Sequence, residues 1–178
     1  MLRVFPVAGF DTMSLHDFAA PRGDGTRSHQ GNDLMADEGT PLVAVDDGEI
    51  RFGVDPLGGN VANLRASDGT RYYYAHLLDF AGPSPRNVRA GERIGYVGRT
   101  GNAASTPPHL HFEMHPNGGA AVDPAPFLDA AARVPIGERT STPTRNGALP
   151  IRALALAALA GGIVYAALNP RALRRLAR

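Results

Sequence analysis

The chain has 178 residues, 43% of them hydrophobic, which suits one ordinary globular domain with an appendage and argues against a second large domain. Its 18 basic and 17 acidic residues leave a net charge of +1, so the composition offers no broad basic face for nucleic acid. Every basic residue is arginine and cysteine is absent, which excludes disulfides and thiolate metal ligands. We expect no secretory signal, because the N-terminal segment breaks at Pro6 and Gly9.

Residues 5–128 are predicted to be β-rich, because glycine and short alternating or β-branched runs dominate and helical periodicity is absent. Turn-forming sequences at residues 46–48, 55–59 and 67–69 separate the runs. This spacing favours a compact antiparallel β-sheet or sandwich. The candidate strands are residues 41–53, 60–66, 70–77, 93–99 and 109–115.

The C-terminal part is predicted to follow a domain of residues 1–132. Residues 133–150 mix Pro, Ser, Thr and Gly and indicate a linker. Residues 151–168 are predicted to form an apolar C-terminal helix, and residues 169–178 form a basic tail. The sixteen apolar residues 153–168 span about 24 Å as a helix, less than the roughly 30 Å of a bilayer core, unless the helix extends backwards. We expect a membrane anchor, with a helix buried on this protein or a partner as the alternative.

The sequence TPPHLHFEMH, at residues 106–115, concentrates three of the six histidines. On a strand, residues two apart project from the same face, and the alternate residues point to the other. The apolar alternates, Leu110, Phe112 and Met114, are predicted to pack into the core. The polar face would then look into a cleft or solvent, and a half-exposed strand without function is the simpler alternative. The polar set is His109, His111, Glu113 and His115.

Two further groups upstream could complete a site. His29 and Asp33 lie four apart across Gly31, in a pattern that indicates a loop entering a strand. Imidazole and carboxylate suit zinc, which takes three protein ligands in catalytic sites and keeps a fourth position open. His76 ends a strongly strand-forming run. Each group is a weak signal alone, because single histidines are more often packed or surface residues.

Together, these blocks resemble the zinc metallopeptidases of the lysostaphin and LytM type, peptidase family M23. The order is H-x-G-x-D at residues 29–33, Y-A-H-L at 74–77 and P-H-L-H-F-E at 108–113. The phrases FPVAG, APRG, GTPLVAVDDGEI and GERIGYVGRTGNAAST also match. The resemblance covers residues 5–128 and implies a mainly β, lysostaphin/LytM-like fold related to the lipoyl-type barrel-sandwich.

Carried over residue by residue, the resemblance implies zinc ligands at His29, Asp33 and His111. It implies that His76 and His109 are catalytic histidines that do not bind the metal. One would accept the proton of water and the other would hydrogen-bond the developing oxyanion, and the sequence leaves open which does which.

Other polar residues near these motifs are expected to play smaller parts. The family commonly has an apolar residue at the position of Asn32 and glycine at the position of Pro107, which bears on activity more than on metal binding. Glu113 and His115 are interpreted as residues around the ligands or in solvent. His16 is interpreted as a surface or groove residue.

The function implied by the resemblance is a zinc-dependent endopeptidase that hydrolyses peptide cross-links or stem peptides of bacterial peptidoglycan. The alternative is a non-hydrolytic cell-wall-binding or amidase-activating protein of the same fold. A lipoyl or biotinyl carrier is excluded, because the chain has no lysine to modify. We expect a cell-envelope location, with membrane contact through the C-terminal helix and an extracytoplasmic catalytic domain, and no nucleic-acid partner. The sequence identifies no protein partner.

Overall fold

The structure is a computed structural model that describes residues 2–9 and 16–135. The described residues lie within one compact unit. The predicted apolar helix and basic tail, and all of the predicted linker beyond residue 135, lie outside the described ranges. Within those ranges, no helix is long and apolar enough to cross a lipid bilayer.

Short strands carry the fold, as predicted, and the described part contains a single α-helix and two turns of 3-10 helix, Gly101–Ala103 and Pro116–Gly118. Helix α1 spans Ala125–Ala130. The strands are β1 (Pro21–Arg22), β2 (Arg27–Ser28), β3 (Asn32–Met35), β4 (Pro41–Val43), β5 (Gly48–Asp55), β6 (Gly59–Ala66), β7 (Arg71–Phe80), β8 (Arg86–Val88), β9 (Arg93–Val97) and β10 (His109–His115).

Eight of these strands form one antiparallel sheet, which confirms the predicted fold class. Its main path runs β3-β10-β7-β6-β5-β8, with β4 and β9 joined to it through the far end of β7. Strand β7 is ten residues long and pairs with β6 and β10 near its start and with β9 near its end. Strands β1 and β2 form a separate hairpin just before β3.

Strand β10 coincides with the predicted strand 109–115 and lies between β3 and β7. Its register places His111 opposite both Asp33 on β3 and Ala75 on β7. The predicted alternation is confirmed, because the apolar residues of β10 are at most 6% exposed and face the core. Its polar residues therefore project from the opposite face of the sheet.

The core lies on the apolar side of β10 and β7. Phe112 contacts the rings of Tyr72 and Tyr74, and all three residues are fully buried. The Tyr74 hydroxyl accepts a hydrogen bond from the Val45 amide at 3.0 Å and lies 3.3 Å from the carbonyl oxygen of Val43. Because its buried hydroxyl is satisfied, Tyr74 fills the core without an unpaired polar group.

Four features differ from the sequence-based prediction. The run 41–53 is two strands, β4 and β5, because residues 44–47 leave the ladder before Gly48, whose tight approach to the Arg65 carbonyl leaves no room for a side chain. The β1–β2 hairpin, the strand β8 and the helix α1 were not predicted. All three are short, so hydrophobic periodicity carries little signal for them.

Candidate metal centre and its groove

A groove of about 680 Å³ lies over the polar face of β10 and β7. The hairpin β1–β2, the loop before β3, the β5–β6 turn and the 3-10 turn at Gly101–Ala103 form its walls. The structure brings every predicted site residue to this one groove, although they are far apart in the sequence. These are His29, Asp33, His76, His109 and His111.

Three of these residues converge on one point. His29 Nε2 lies 2.8 Å from His111 Nδ1, and Asp33 Oδ1 lies 3.1 Å and 3.0 Å from those two nitrogens. Each residue can therefore offer one ligand atom to a shared metal ion. Their elements explain the convergence, because His29 directly follows β2 at the start of the loop before β3, while Asp33 and His111 are cross-strand neighbours.

Each candidate ligand has its second polar atom held by a neighbour. His29 Nδ1 lies 3.0 Å from the carbonyl oxygen of Asp17, to which it can donate. Arg22 donates to Asp33 Oδ2 at 2.9 Å. In the same way, His111 Nε2 lies 3.0 Å from the carboxylate of Glu113. These contacts orient the three side chains so that His29 Nε2, Asp33 Oδ1 and His111 Nδ1 are directed at one another.

The three side chains are of the types that bind zinc, and the distances between their ligand atoms are close to those of a zinc site. Two imidazoles and one carboxylate are zinc ligands, and three protein ligands leave a fourth position for water or substrate. Ligand atoms about 2.0–2.1 Å from a tetrahedral zinc stand roughly 3.3 Å apart. The observed separations of 2.8–3.1 Å are only a few tenths shorter, so small side-chain rotations would accommodate the ion.

The electrostatics of the metal-free cluster couple Asp33 to His111. Burial opposes the charge on Asp33, yet hydrogen bonds with His111 and His29 outweigh it and hold the pKa of this carboxyl well below its usual range. Burial also opposes the charge on His111, but its hydrogen bonds with Asp33 and Glu113 raise the pKa of this imidazole to about 9. A metal ion would have to displace the proton from His111.

His76 and His109 face the same point from the other side. Their rings are 5.0 Å apart, and His109 Nε2 lies 3.9 Å from Asp33 Oδ1. His76 Nδ1 lies 2.9 Å from the Thr100 carbonyl oxygen, and His109 Nδ1 lies 2.8 Å from that of Pro107. Because each Nδ1–H can donate to a backbone carbonyl, each Nε2 is left as a proton acceptor toward the groove.

The backbone of His76 is unusual. Its φ of 66° lies in the left-handed region that glycine favours, although the residue is in a strand. The His76 amide donates to the Gly58 carbonyl at 2.7 Å, which holds this conformation against the β5–β6 turn. Burial lowers the pKa of the His76 imidazole to about 4, so the ring is neutral at pH 7. Strain of this kind is concentrated at functional sites.

A tyrosine and an aspartate order the turn behind His76. The Tyr73 hydroxyl donates to Asp55 Oδ2 at 2.7 Å, while Asp55 Oδ1 accepts from the Gly58 amide at 2.5 Å. Burial, and then the hydrogen bond with Asp55, raise the pKa of Tyr73, so its hydroxyl stays protonated. The pair therefore holds Gly58, whose carbonyl binds the His76 backbone.

The two departures from the M23 pattern have identifiable places. Asn32 is fully buried, and its amide lies 3.4 Å from Asp17 Oδ1, which also accepts from the Asp33 amide at 3.1 Å. Pro107 contributes the carbonyl that orients His109, and any residue could supply this group. Neither departure removes a contact of the cluster.

The remaining expectations can be compared with the structure. Glu113 and His115 lie beside the cluster, with His115 Nε2 2.6 Å from Glu113 Oε2. His16 is exposed and its Nε2 lies 3.1 Å from Asp129 Oδ2. Sequence reasoning missed Arg22 and Asp17, which hold Asp33 and His29. The APRG phrase at residues 20–23 was the available signal for Arg22.

An antiparallel β-domain whose groove joins a His-Asp-His cluster to two further histidines has the architecture of a metallopeptidase. Comparison with known families agrees: residues 27–124 match the family described as peptidase family M23. The chain belongs to that family. The predicted relationship is thus confirmed.

Individual relatives show how far the similarity extends. The chain is 46% identical over 93 residues to the DD-carboxypeptidase/endopeptidase Mpg of Neisseria meningitidis serogroup B, covering 52% of this chain and 21% of the relative. It is 37% identical over 137 residues to the glycyl-glycine endopeptidase ALE-1 of Staphylococcus capitis, covering 71% of this chain and 36% of that protein.

A solved structure supports the fold. A putative glycyl-glycine endopeptidase lytM from Ruminococcus gnavus superposes with a TM-score of 0.65 at 29% identity, covering 75% of this chain and 62% of the other. The chain spans only 21% to 36% of the length of the two curated relatives.

Proposed function

We propose that the chain is a zinc-dependent endopeptidase that hydrolyses peptide cross-links or stem peptides of bacterial peptidoglycan. The convergence of His29 Nε2, Asp33 Oδ1 and His111 Nδ1 beside two oriented histidines carries the proposal. Family membership and the printed activities of the relatives, DD-carboxypeptidase/endopeptidase and glycyl-glycine endopeptidase, support peptide hydrolysis and the peptidoglycan substrate.

In this proposal, His29, Asp33 and His111 hold zinc through the three converging atoms. When bound, zinc supplies a Lewis acid that polarises the peptide carbonyl and makes water nucleophilic near neutral pH. Arg22, by binding Asp33 Oδ2, leaves Oδ1 as the ligand oxygen. Glu113 keeps the proton of His111 on Nε2 and so leaves Nδ1 free for the metal.

His76 and His109 are proposed to act as the general base and as the hydrogen-bond donor to the developing oxyanion. Both present Nε2 to the groove, and His76 is neutral at pH 7, so either can accept the proton of the attacking water. Hydrolysis adds that water across the C–N bond, so the proton must pass to the amine that leaves. The second histidine, once protonated, can donate to the oxygen on which negative charge develops.

A binding protein without hydrolytic activity is the alternative from the sequence. The complete set of ligands and both additional histidines favours the enzyme, because binding alone would not require two imidazoles oriented toward a metal cluster. The proposal places its action in the cell envelope, where peptidoglycan lies, with the domain on the outer side of the membrane. Membrane contact through residues 151–168 stays a prediction, because those residues lie outside the described ranges.

The test is mass spectrometry of soluble fragments released from purified peptidoglycan by the zinc-loaded full-length chain. The matched control is His111→Ala, which removes one ligand and leaves the core side of β10 unchanged. Peptide fragments that appear only with the unaltered chain would support the proposal and identify the bond. Failure to release fragments from several wall types, with one zinc bound per chain, would favour the non-hydrolytic alternative.

A further inference from the structure

One end of the groove carries an arginine. Strand β10 runs from His109 to His115, and Arg71 on β7, which lines the groove, is the register partner of His115. At the other end, beyond His109 and His76, the only charged lining residue among the described residues is Asp55, whose carboxylate is bound by the Gly58 amide and the Tyr73 hydroxyl. The uncharged lining residues there are Leu57, Gly58, Asn102, Ala103 and Thr106.

A second arginine lines the groove from the hairpin β1–β2. Arg27 lies on β2 as the register partner of Arg22, whose guanidinium binds Asp33.

The two arginines differ from the other charged groups of the groove in their partners. Asp33, Asp55 and Glu113 all accept hydrogen bonds from neighbours, and Arg22 is bound to Asp17 and Asp33. By contrast, neither Arg27 nor Arg71 forms an ion pair with a carboxylate among residues 2–9 and 16–135.

Arg71 is also held in place. Its Nη1 donates to Asn63 Oδ1 at 3.1 Å, and its guanidinium carbon lies 6.0 Å from the centre of the Tyr73 ring. The Tyr73 ring centre lies 6.3 Å from that of His111. Arg71 is thus one aromatic ring beyond the metal cluster, with donors left over after its bond to Asn63. An ordered guanidinium with free donors suits a carboxylate.

Resting on the proposed function, we infer that Arg27 and Arg71, the groove arginines without a carboxylate partner among the described residues, bind a free carboxylate of the substrate. The substrate class is then a peptide that carries a carboxylate on one side of the scissile bond, close to it. An oligoglycine bridge has no charge along its length and would leave both arginines without a partner. The end of the groove beyond His109 and His76 takes the other side of the peptide.

The test uses cross-linked muropeptides cut from purified peptidoglycan with a muramidase. Half of the preparation is treated with carbodiimide and ammonia, which converts carboxylates into carboxamides of nearly equal size. The zinc-loaded full-length chain is expected to cleave the untreated muropeptides with a kcat/KM about tenfold or more above that for the amidated ones, as suits a charge-assisted hydrogen bond. Equal values for the two preparations would overturn the inference and leave the proposed function standing.

Substitutions of the two arginines test whether they cause the preference for untreated muropeptides. The quantity compared is the ratio of kcat/KM for untreated muropeptides to kcat/KM for amidated ones. Arg27→Gln, on the exposed hairpin, and Arg71→Gln should each reduce this ratio severalfold. Arg71→Lys should retain part of the preference because the charge remains. The control is Arg99→Gln, since Arg99 is an exposed residue outside the groove that binds Glu38. A ratio unchanged in both Arg27→Gln and Arg71→Gln, with unfolding like that of the unaltered chain, would refute the assignment.

A binding measurement separates this inference from the proposed function. Fluorescence anisotropy of labelled untreated and amidated muropeptides is recorded with the zinc-loaded full-length chain and with Arg27→Gln. If no peptide is hydrolysed but the untreated muropeptides bind more tightly in an Arg27-dependent way, the endopeptidase proposal fails and the carboxylate site stands. Binding without preference would overturn the carboxylate site.

Discussion

Glu113 binds the edge of His111 that faces away from the metal cluster: its Oε1 lies 3.0 Å from Nε2, while Nδ1 of the same ring lies 2.8 Å from His29 Nε2. The two residues share one face of β10, two positions apart. The strand itself therefore supplies both a candidate ligand and the carboxylate that orients it. Removing a residue that orients a metal ligand commonly lowers metal affinity or activity about ten- to a hundredfold.

Glu113→Gln is expected to weaken zinc binding about tenfold or more, because the amide keeps the shape of the side chain but removes the charge that orients His111. Competition with a chelator of known affinity measures the change. Glu38→Gln, at an exposed residue that binds Arg99, is the control and should leave zinc affinity unchanged. Equal affinities for Glu113→Gln and the unaltered chain would show that the carboxylate is not needed for metal binding.

Zinc affinity should rise with pH between about 7 and 9. In the metal-free protein, the hydrogen bonds of His111 with Asp33 and Glu113 raise the pKa of the ring to about 9, so at pH 7 the ring carries a proton that zinc must displace. The affinity should therefore increase about tenfold per pH unit and level off above pH 9. Calorimetry in buffers of different ionisation enthalpy should detect about one proton released per zinc at pH 7. A flat profile with no proton release would contradict the assignment of His111.

The same raised pKa stabilises the metal-free fold. Because the folded pKa of His111 exceeds the ordinary value of 6.5, this stabilisation is complete below about pH 6.5 and is lost as pH rises through about 9. The pH dependence of metal binding has the opposite sign, because zinc affinity increases from pH 7 to pH 9. Thermal melts of the metal-free and zinc-loaded protein should therefore diverge as pH increases from 7 to 9.

Metal removal should leave the domain folded. Its core is formed by the apolar face of the sheet, including Tyr72, Tyr74 and Phe112, and the metal cluster lies on the opposite face. We expect the chelated protein to keep its β-type circular dichroism and lose hydrolytic activity. Zinc at a hundredfold excess over its dissociation constant should add about 2.7 kcal/mol to the free energy of unfolding. Collapse of the β-signal on chelation would show that the metal is structural.

His76→Gly should be more stable than His76→Ala by about 1 kcal/mol, because the φ of 66° is strained for any residue with a Cβ. Both variants lack the imidazole and should be inactive. Urea denaturation measures the difference between them. Leu78→Gly and Leu78→Ala, in the same strand at a residue without positive φ, form the control, and there alanine should be the more stable. The same order at both positions would argue against strain at His76.

The sequence was sufficient to predict what depends on local pattern. Alternation in residues 109–115 gave both the strand β10 and its buried face, and the spacing of His29 and Asp33 across Gly31 indicated a loop entering a strand. The antiparallel β-fold was likewise predicted. Family resemblance then selected the five site residues, and the structure brings their side chains together in one groove.

Contacts between distant segments could not be predicted in this way. Arg22 reaches Asp33 from a hairpin of two-residue strands, and Asp17 meets His29 twelve positions along the chain. The left-handed backbone of His76 depends on the Gly58 carbonyl, from a turn that Asp55 and Tyr73 hold. Such geometry arises from tertiary packing, which overrides the local preferences of a strand.

Because β3 lies at the edge of the sheet, a bound metal ion would also affect how easily this strand opens. Asp33 lies on this four-residue edge strand, whereas His111, 78 positions later, lies on the strand beside it, which has neighbours on both sides. A zinc ion that joins them would act as a cross-link closing a long loop, which is where such links restrict an unfolded chain most. Fraying of the edge strand would then require release of the ion, so the amide protons of β3 should exchange with solvent at a rate set by metal occupancy.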